Sequence, residues 1–450
     1  MEPVAVLVFL PVIAALLVLF SRSRVLQYLL VTLTAVALGA VALYLFVMPA
    51  APMQMRFSPA LETLLIAADA ALLLYFVRQG YRFKANRVTA LAVVQLLLYA
   101  LAEAIPATHS GAALLVDDLS LLMFLVINIV GGLIVIYALQ YMRDEAMSPF
   151  RKRLFYAYLL LFLSVMNTIV MANSLLLFFF LFEMTTLASY LLIGFRRDDV
   201  SRENALKALW MNQVGGVSIL LGTLIALTQF DTLSIDVLTA SSGLYLLLSI
   251  ALLSIAALIK GAALPFDSWL IGAMVAPTPV SAMLHSATMV KIAPYLILKL
   301  SPAIGGTLLG GVLSLSAALL FVAASYLALS RSLFKEILGY STIALLGLMM
   351  SLAAIATPKS MMLAMALIFF HALAKALLFL SAGVLEKDFH LRSIEEMKGL
   401  AHVAPKSVGY IMFGFVSLTL PPFGLFMGKL FAIESVAALL EKEPWLIAVL

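Results

Sequence analysis

The chain has 450 residues, 64% of them hydrophobic and 11% charged, with a mean hydropathy of +1.13. Apolar runs near the ~20 residues that span a bilayer recur from end to end, so the composition excludes a soluble domain and leaves an all-α polytopic membrane protein; a β-barrel would show short alternating segments instead. Net charge is +5 and cysteine is absent, which excludes disulfides, iron–sulfur clusters and thiolate-held metals within this chain, while the basic excess reflects loop topology and not nucleic-acid binding.

In chain order the predicted spans are Val4–Phe20, Leu26–Met48, Pro59–Val77, Val88–Ile105, Leu119–Tyr141, Leu154–Met171 and Leu175–Phe195. They continue as Ala205–Thr228, Gly243–Ala273, Val280–Lys299, Thr307–Leu329, Ile337–Ile355, Met361–Leu385 and Val408–Leu439. The first has no basic n-region and no small-residue cleavage site, so it reads as a retained helix and not a signal peptide. A fifteenth span begins at Trp445 and is cut by the end of the sequence, so a longer natural chain is expected. Two spans are too long for one crossing and carry proline, which removes a backbone donor and breaks a helix. One holds Pro265 five residues after Lys260; the other holds Pro421 and Pro422, with Lys429 following. Interrupted helices at matching places in two halves point to internally repeated transporter architecture, here on topology alone, since no letter-by-letter repeat is visible.

With the N-terminus outside, twenty of the 28 basic residues fall in inside loops. Four fall in outside loops (Arg56, Lys299, Lys359, Lys442) and four within spans. That is a strong positive-inside asymmetry and predicts an inner (cell) membrane protein with its N-terminus outside.

The four intramembrane lysines are Lys260, Lys291, Lys375 and Lys429, and Glu183 sits in a fifth span. A charge at bilayer depth costs roughly 2.5–3.5 kcal/mol even on mild scales, and its default meaning is an ion or proton path. Burial penalises an ammonium and a neighbouring carboxylate stabilises it; at 4 Å and an effective dielectric of 20 the pair is worth about 4 kcal/mol. A lysine caught between the two effects can be switched. If Glu183 withdraws, Lys260 releases its proton through water toward Lys291, Lys375 and Lys429. His371 and Lys375 are four apart and share a helix face; His285 and Lys291 are six apart and do not. Each residue also has a structural alternative: an interhelical bond for Glu183 or His371, an ion pair for Lys260 or Lys291, snorkelling for Lys429, a solvated helix start for Lys207. Asp69 and Glu103 lie in the third and fourth spans and read as structural. Asp267 and Glu434 extend the path or face an aqueous vestibule. Asp117 and Asp118 read as helix caps, and Lys335 as positional.

The stretch KGAALPFDSWLIGAMVAPTPVSAMLHSATMVK from Lys260 resembles the signature of the antiporter-like subunits of respiratory complex I. The large subunits of multisubunit (Mrp-type) sodium/proton antiporters and of energy-converting membrane-bound hydrogenases share it. LLLFFFLFEMTTLASYLLIGF around Glu183, FKEILGYSTIALLGLM, HALAKALLFLSAG from His371 and LPPFGLFMGK ending at Lys429 agree, so the resemblance covers about Asp117 to Lys429. It implies a fold of fourteen or so helices with two inverted five-helix repeats, each containing a broken helix. It also implies a proton path through Glu183, Lys260, Lys291 with His285, His371 with Lys375, and Lys429, with Lys207 partnering the glutamate. On this basis residues 1–110 are N-terminal membrane helices with two spans that look extra, Pro59–Val77 and Val88–Ile105. Residues 111–440 form the antiporter-like core with repeats over about 150–300 and 303–440, and 441–450 start a further helix.

The function expected is proton or cation translocation within a redox-driven complex of NADH-quinone oxidoreductase or membrane-bound hydrogenase type. The alternative is a multisubunit sodium/proton antiporter without a redox partner. No cofactor or metal is expected in this chain. The partners expected are other membrane subunits, a redox arm, protons or sodium, and lipid. A membrane enzyme using His371 and Lys375 on a lipid fits less well, because the charged row lies at mid-depth.

Overall fold

The computed structural model describes residues 2–48, 52–107 and 111–419, and residues 425, 426, 428–431, 434 and 437 beyond them. Pro421, Pro422 and Trp445 lie outside the described residues, and the second expected helix break with them. The helices are α1 (Glu2–Phe20), α2 (Arg24–Val47), α3 (Pro59–Arg82), α4 (Asn86–Ala104), α5 (Asp118–Arg143), α6 (Pro149–Ile169), α7 (Leu175–Ile193) and α8 (Asp199–Phe230). They continue with α9 (Leu244–Lys260), α10 (Ser268–Gly272), α11 (Thr278–Ile304), α12 (Leu308–Leu329), α13 (Phe334–Ile355), α14 (Pro358–Asp388) and α15 (Pro405–Thr419). Among the described residues, eleven helices are long and apolar enough to cross a membrane by themselves. The chain is a polytopic all-α membrane protein.

Local chemistry sets the helix starts. The side chains of Ser23, Ser58, Asp117, Ser148, Asp198, Thr307 and Thr357 each accept a hydrogen bond from a backbone N–H of the first turn. Such caps satisfy donors that no lipid can satisfy. The cap at Asp198 starts α8 in polar sequence, so the helix begins at Asp199 and not at the apolar onset, Ala205. A short antiparallel ribbon, β1 (Met53–Met55) with β2 (Leu114–Val116), was not expected from sequence. Three-residue strands carry too little period-two signal to read. The ribbon joins the α2–α3 and α4–α5 connections, so it ties the α3–α4 pair to the rest of the bundle.

The most buried of the spanning helices are α11, α13 and α5. α1 to α4 and α12 leave Phe9, Leu16, Leu33, Leu74, Leu97, Leu319 and Val322 exposed, as a lipid-facing surface requires.

Gly243–Ala273 is interrupted around Pro265, as expected, since Pro265 lies within the non-helical stretch 261–267. α9 ends at Lys260, the backbone turns at Gly261 and at Ala262 (φ 55), and helix resumes at Ser268. Ala262 occupies the left-handed region, which costs a residue with a β-carbon about 1–3 kcal/mol and persists only where its surroundings enforce it. One expectation, Val280–Lys299 as one continuous helix, needs correction. α11 contains a π-helical turn at Met283–Ala287, a break at Thr288 (φ −128, ψ −104) and a tight turn at Met289–Lys291. No proline marks this break.

Candidate ion-translocation site

Lys260 is the last residue of α9, where the unsatisfied carbonyls of a helix end favour a cation. Its side chain crosses to α7. The ammonium donates to the Thr185 and Thr186 hydroxyls (3.1 Å each) and the Phe182 carbonyl (3.3 Å). It also lies 3.6 Å from the Phe182 ring centroid, a cation–π contact strengthened by desolvation. One helical turn of α7 therefore cradles Lys260, and Glu183 belongs to that turn.

Glu183 is fully buried and forms no ion pair with Lys260 among the described residues, although the two are electrostatically coupled. Its Oε1 accepts a 2.9 Å hydrogen bond from the Gln95 amide of α4, while Oε2 has no hydrogen-bond partner among the described residues. Gln95 also donates to the Gln213 carbonyl of α8 at 2.9 Å. Gly216 makes room for this pair: a β-carbon there would lie 2.0 Å from Glu183 Oε1 and 2.2 Å from Gln95 Nε2. Sequence reasoning missed Gln95. Its signal was an amide in an apolar span, beside residues read as structural.

Lys207 is not beside Glu183. It sits half-buried six residues before Gln213 on α8, about 9 Å of helix rise away, and lines a cavity of about 590 Å³ at that end of the bundle. Arg196, Asp198, Ser268, Tyr340, Lys335 and Glu386 line the same cavity. Lys335 pairs with Glu386 at 2.8 Å, and Glu386 accepts a 3.0 Å bond from Thr278. Asp267 accepts from the hydroxyl of Tyr340, a residue of this lining, at 3.0 Å.

The second group lies on α11, α13 and α14. Lys291 contacts His371 Nδ1 directly, and both are fully buried. An ammonium has donors only, so Nδ1 must be the acceptor and the imidazole neutral whenever Lys291 is charged; the tautomer follows from this geometry. Lys375, one turn along from His371, donates to the Leu338 carbonyl at 3.0 Å and contacts the Ser341 hydroxyl. His285 is buried, packs against the Phe379 ring in a tilted arrangement with centroids 4.8 Å apart, and has neither ring nitrogen bonded among the described residues. It is coupled to Lys291 and Lys375. A regular helix would have turned His285 away from Lys291; the π turn and the Thr288 break alter the phase between them. Lys429, half-buried, donates to the Leu418 carbonyl at 2.9 Å and is coupled to His371 and Lys375. Glu434 pairs with Lys359 at the surface at 2.6 Å, away from this group.

No direct hydrogen bond joins Lys260 to Lys291 among the described residues. Their helices nonetheless touch: a β-carbon on Gly261 would lie 2.8 Å from Ala293 Cβ. No cluster of three or more His, Cys, Asp or Glu suited to a metal occurs among the described residues.

Residues 172–450 match the family model described as NADH:quinone oxidoreductase/Mrp antiporter, TM, and residues 105–150 match NADH-Ubiquinone oxidoreductase (complex I), chain 5 N-terminus. A Na(+)/H(+) antiporter subunit of Alkalihalophilus pseudofirmus is 35% identical over 356 residues, which cover 72% of this chain and 43% of that protein. A probable K(+)/H(+) antiporter subunit of Rhizobium meliloti is 33% identical over 312 residues, 67% of this chain and 30% of that protein. The chain thus spans well under half the length of these curated relatives. Among solved structures, the Mrp complex from Dietzia sp. superposes with a TM-score of 0.74 at 23% identity, covering 96% of this chain and 43% of that one. The membrane-bound sulfane sulfur reductase, an archaeal respiratory membrane complex, superposes with a TM-score of 0.75 at 18% identity, covering 97% and 82%. At these identities the superpositions speak for the fold alone.

Proposed function

The chain belongs to the NADH:quinone oxidoreductase/Mrp antiporter transmembrane family, and from that premise we propose that it moves protons across the membrane through the row Glu183, Lys260, Lys291 with His371, Lys375 and Lys429. The observation that carries this is the seating of Lys260 at the end of an interrupted helix, on the turn that holds a buried, half-bonded Glu183. A charge in such a place has no structural need of the break. Loss or gain of negative charge at Glu183 changes how strongly Lys260 holds its proton, by about 4 kcal/mol at 4 Å and a dielectric of 20. The released proton passes by water to Lys291, where His371 serves as a paired acceptor, and on through Lys375 to Lys429. His285 lies against this cluster and stabilises its neutral or charged states by turn. Lys207 acts at the vestibule, not as Glu183's partner.

The parent assembly is a multisubunit membrane complex, in an inner (cell) membrane, with the N-terminus outside as the basic-loop asymmetry indicates. The names of the curated relatives support an antiporter assembly over the redox-driven complex favoured by sequence alone. The fold is shared about equally with an Mrp complex and an archaeal respiratory complex, so it favours neither assembly. Iron–sulfur or nickel subunits copurifying with the chain identify the redox complex; small hydrophobic subunits alone identify the antiporter. The test of translocation is Lys260→Ala in the assembled complex, reconstituted in vesicles with an internal pH dye. Proton transfer is expected to stop while assembly persists; transfer at the wild-type rate refutes the relay.

A further inference from the structure

α3 and α4 lie before residue 105, outside both segments matched to the family, yet they reach its central glutamate. Asp69, midway along α3, is 1% exposed, and neither carboxylate oxygen has a hydrogen-bond partner among the described residues. A buried carboxylate without partners is costly, so its retention needs a reason. Asp69 faces a cavity of about 330 Å³ that Glu62, Tyr99, Glu103, Ser174 and Phe180 also line. These residues belong to the start of α3, the end of α4 and the start of α7. The cavity therefore opens on the face opposite the vestibule of Arg196, Lys207 and Lys335, which sits at the other end of α7.

Three features continue inward from the cavity. Asp69 is electrostatically coupled both to Glu103 near the mouth and to Glu183. Gln95, one turn from Tyr99 on α4, holds Glu183 Oε1. Gln95 Oε1 and Glu183 Oε2 are buried with no bonded partner among the described residues. Unpaired oxygens thus occur at Asp69, Gln95 and Glu183, and no basic residue lines the cavity among the described residues.

We propose that α3 and α4 form a second, acid-lined proton half-channel from this face to Glu183, with Asp69 as its buried proton carrier and Gln95 as the residue that positions Glu183. The proposal rests on Glu183 serving as a proton carrier. A proton from bulk water binds the Asp69 carboxylate, passes by water to Glu183, and leaves Asp69 as a carboxylate again; no other bond changes. Carboxylates at Glu62 and Glu103 concentrate protons at the mouth. The row then has aqueous access from one face at Glu183 and from the other at the Lys335–Glu386 vestibule.

Two measurements on the native assembly test it. The chain has no cysteine, so Glu103→Cys and Asp69→Cys are single labelling sites, assigned on this chain by peptide mass. Both are expected to react with a small membrane-impermeant thiol reagent from the α3 N-terminal face only. An inert Asp69→Cys beside a reactive Glu103→Cys means a dry cavity and overturns the proposal. In proteoliposomes, Asp69→Asn is expected to lower sodium-free proton flux about 100-fold, while Asp69→Glu, assembled equally well, retains most of it. Wild-type flux in Asp69→Asn, with flux abolished in Lys260→Ala, removes the half-channel and leaves the relay standing. Wild-type flux in both removes the relay as well. A change confined to the apparent sodium affinity of Asp69→Asn marks a sodium site and likewise overturns the proton assignment.

Discussion

The two halves of the charged row use opposite electrostatic designs. Around Lys260 there is one ammonium and one carboxylate, set close but not joined, with the ammonium held by hydroxyls, a carbonyl and an aromatic face. Around Lys291, His285, His371, Lys375 and Lys429 there are five basic groups, and none forms an ion pair among the described residues. Like charges this close cannot all be present together in a low dielectric. The first region is suited to a switch between two charge states. The second is suited to sharing a small number of protons among several acceptors, because Lys291 and His371 form a donor–acceptor pair only when one of them is neutral.

Substitutions that exchange or erase these designs should separate them. The largest effect is expected from Glu183→Gln, which removes the carboxylate coupled to Lys260. Proton flux in vesicles should fall by roughly three orders of magnitude, the equivalent of about 4 kcal/mol, with assembly intact. Flux within a factor of two of wild type would mean the Lys260 region does not switch on charge. Next comes His371→Leu, which strands Lys291 beside an apolar side chain. A buried charge that loses its partner costs about 3–5 kcal/mol, so the thermal midpoint of the purified assembly should drop, and His371→Gln, which keeps an acceptor, should recover most of it. Equal midpoints for Leu and Gln would show that Lys291 is already neutral.

A subtler test is Gly216→Ala. Its methyl would displace both Glu183 Oε1 and the Gln95 amide. Flux should fall about tenfold, in line with the loss of one charge-assisted hydrogen bond of ~1.5 kcal/mol, while the Lys291 cluster is untouched. Unchanged flux would show that Gln95 has no positioning role.

The smallest effect is expected outside the spans. Asp117 caps α5 by accepting from Ser120 N at 2.9 Å and Ser120 Oγ at 2.8 Å, and it pairs with Lys299 at 2.7 Å. Burial pushes its carboxyl up, but the Lys299 ammonium and the Ser120 bonds outweigh burial and hold it below the usual carboxylate range. A depressed carboxyl stabilises the folded state above its unfolded value of about 4, and that contribution is lost as pH falls through the folded value. Asn keeps the cap but loses the Lys299 pair, so Asp117→Asn should cost up to about 1 kcal/mol at pH 7 and progressively less in acid. A cost that grows in acid would contradict the ion pair.

Much of this was open to reading from the residues one at a time. Glu183, Lys260, Lys291, His371 and Lys375 stand out because a charge or imidazole in a 20-residue apolar run has few reasons to be there. The break after Lys260 was legible from Pro265, which lies within the non-helical stretch 261–267; that the chain turns first at Gly261 and Ala262 was not. The Thr288 break had no proline to announce it, and without it His285 looked out of phase with Lys291. Gln95 was passed over, and Asp69 was noticed but read as structural. Each is a single polar residue on a helix that sequence alone placed outside the shared core.

Sequence by itself determined the class, the spans and the identity of the buried charges, because hydrophobic run length and the cost of a charge in hydrocarbon are properties of short segments. Which charge meets which was decided only in three dimensions. Lys260 finds two threonine hydroxyls and an aromatic face across 74 to 78 positions of chain, Lys291 finds His371 across 80, and Gln95 finds Glu183 across 88. Coulomb and hydrogen-bond energies depend on separations of a few ångströms, and no local pattern encodes contacts between helices that far apart.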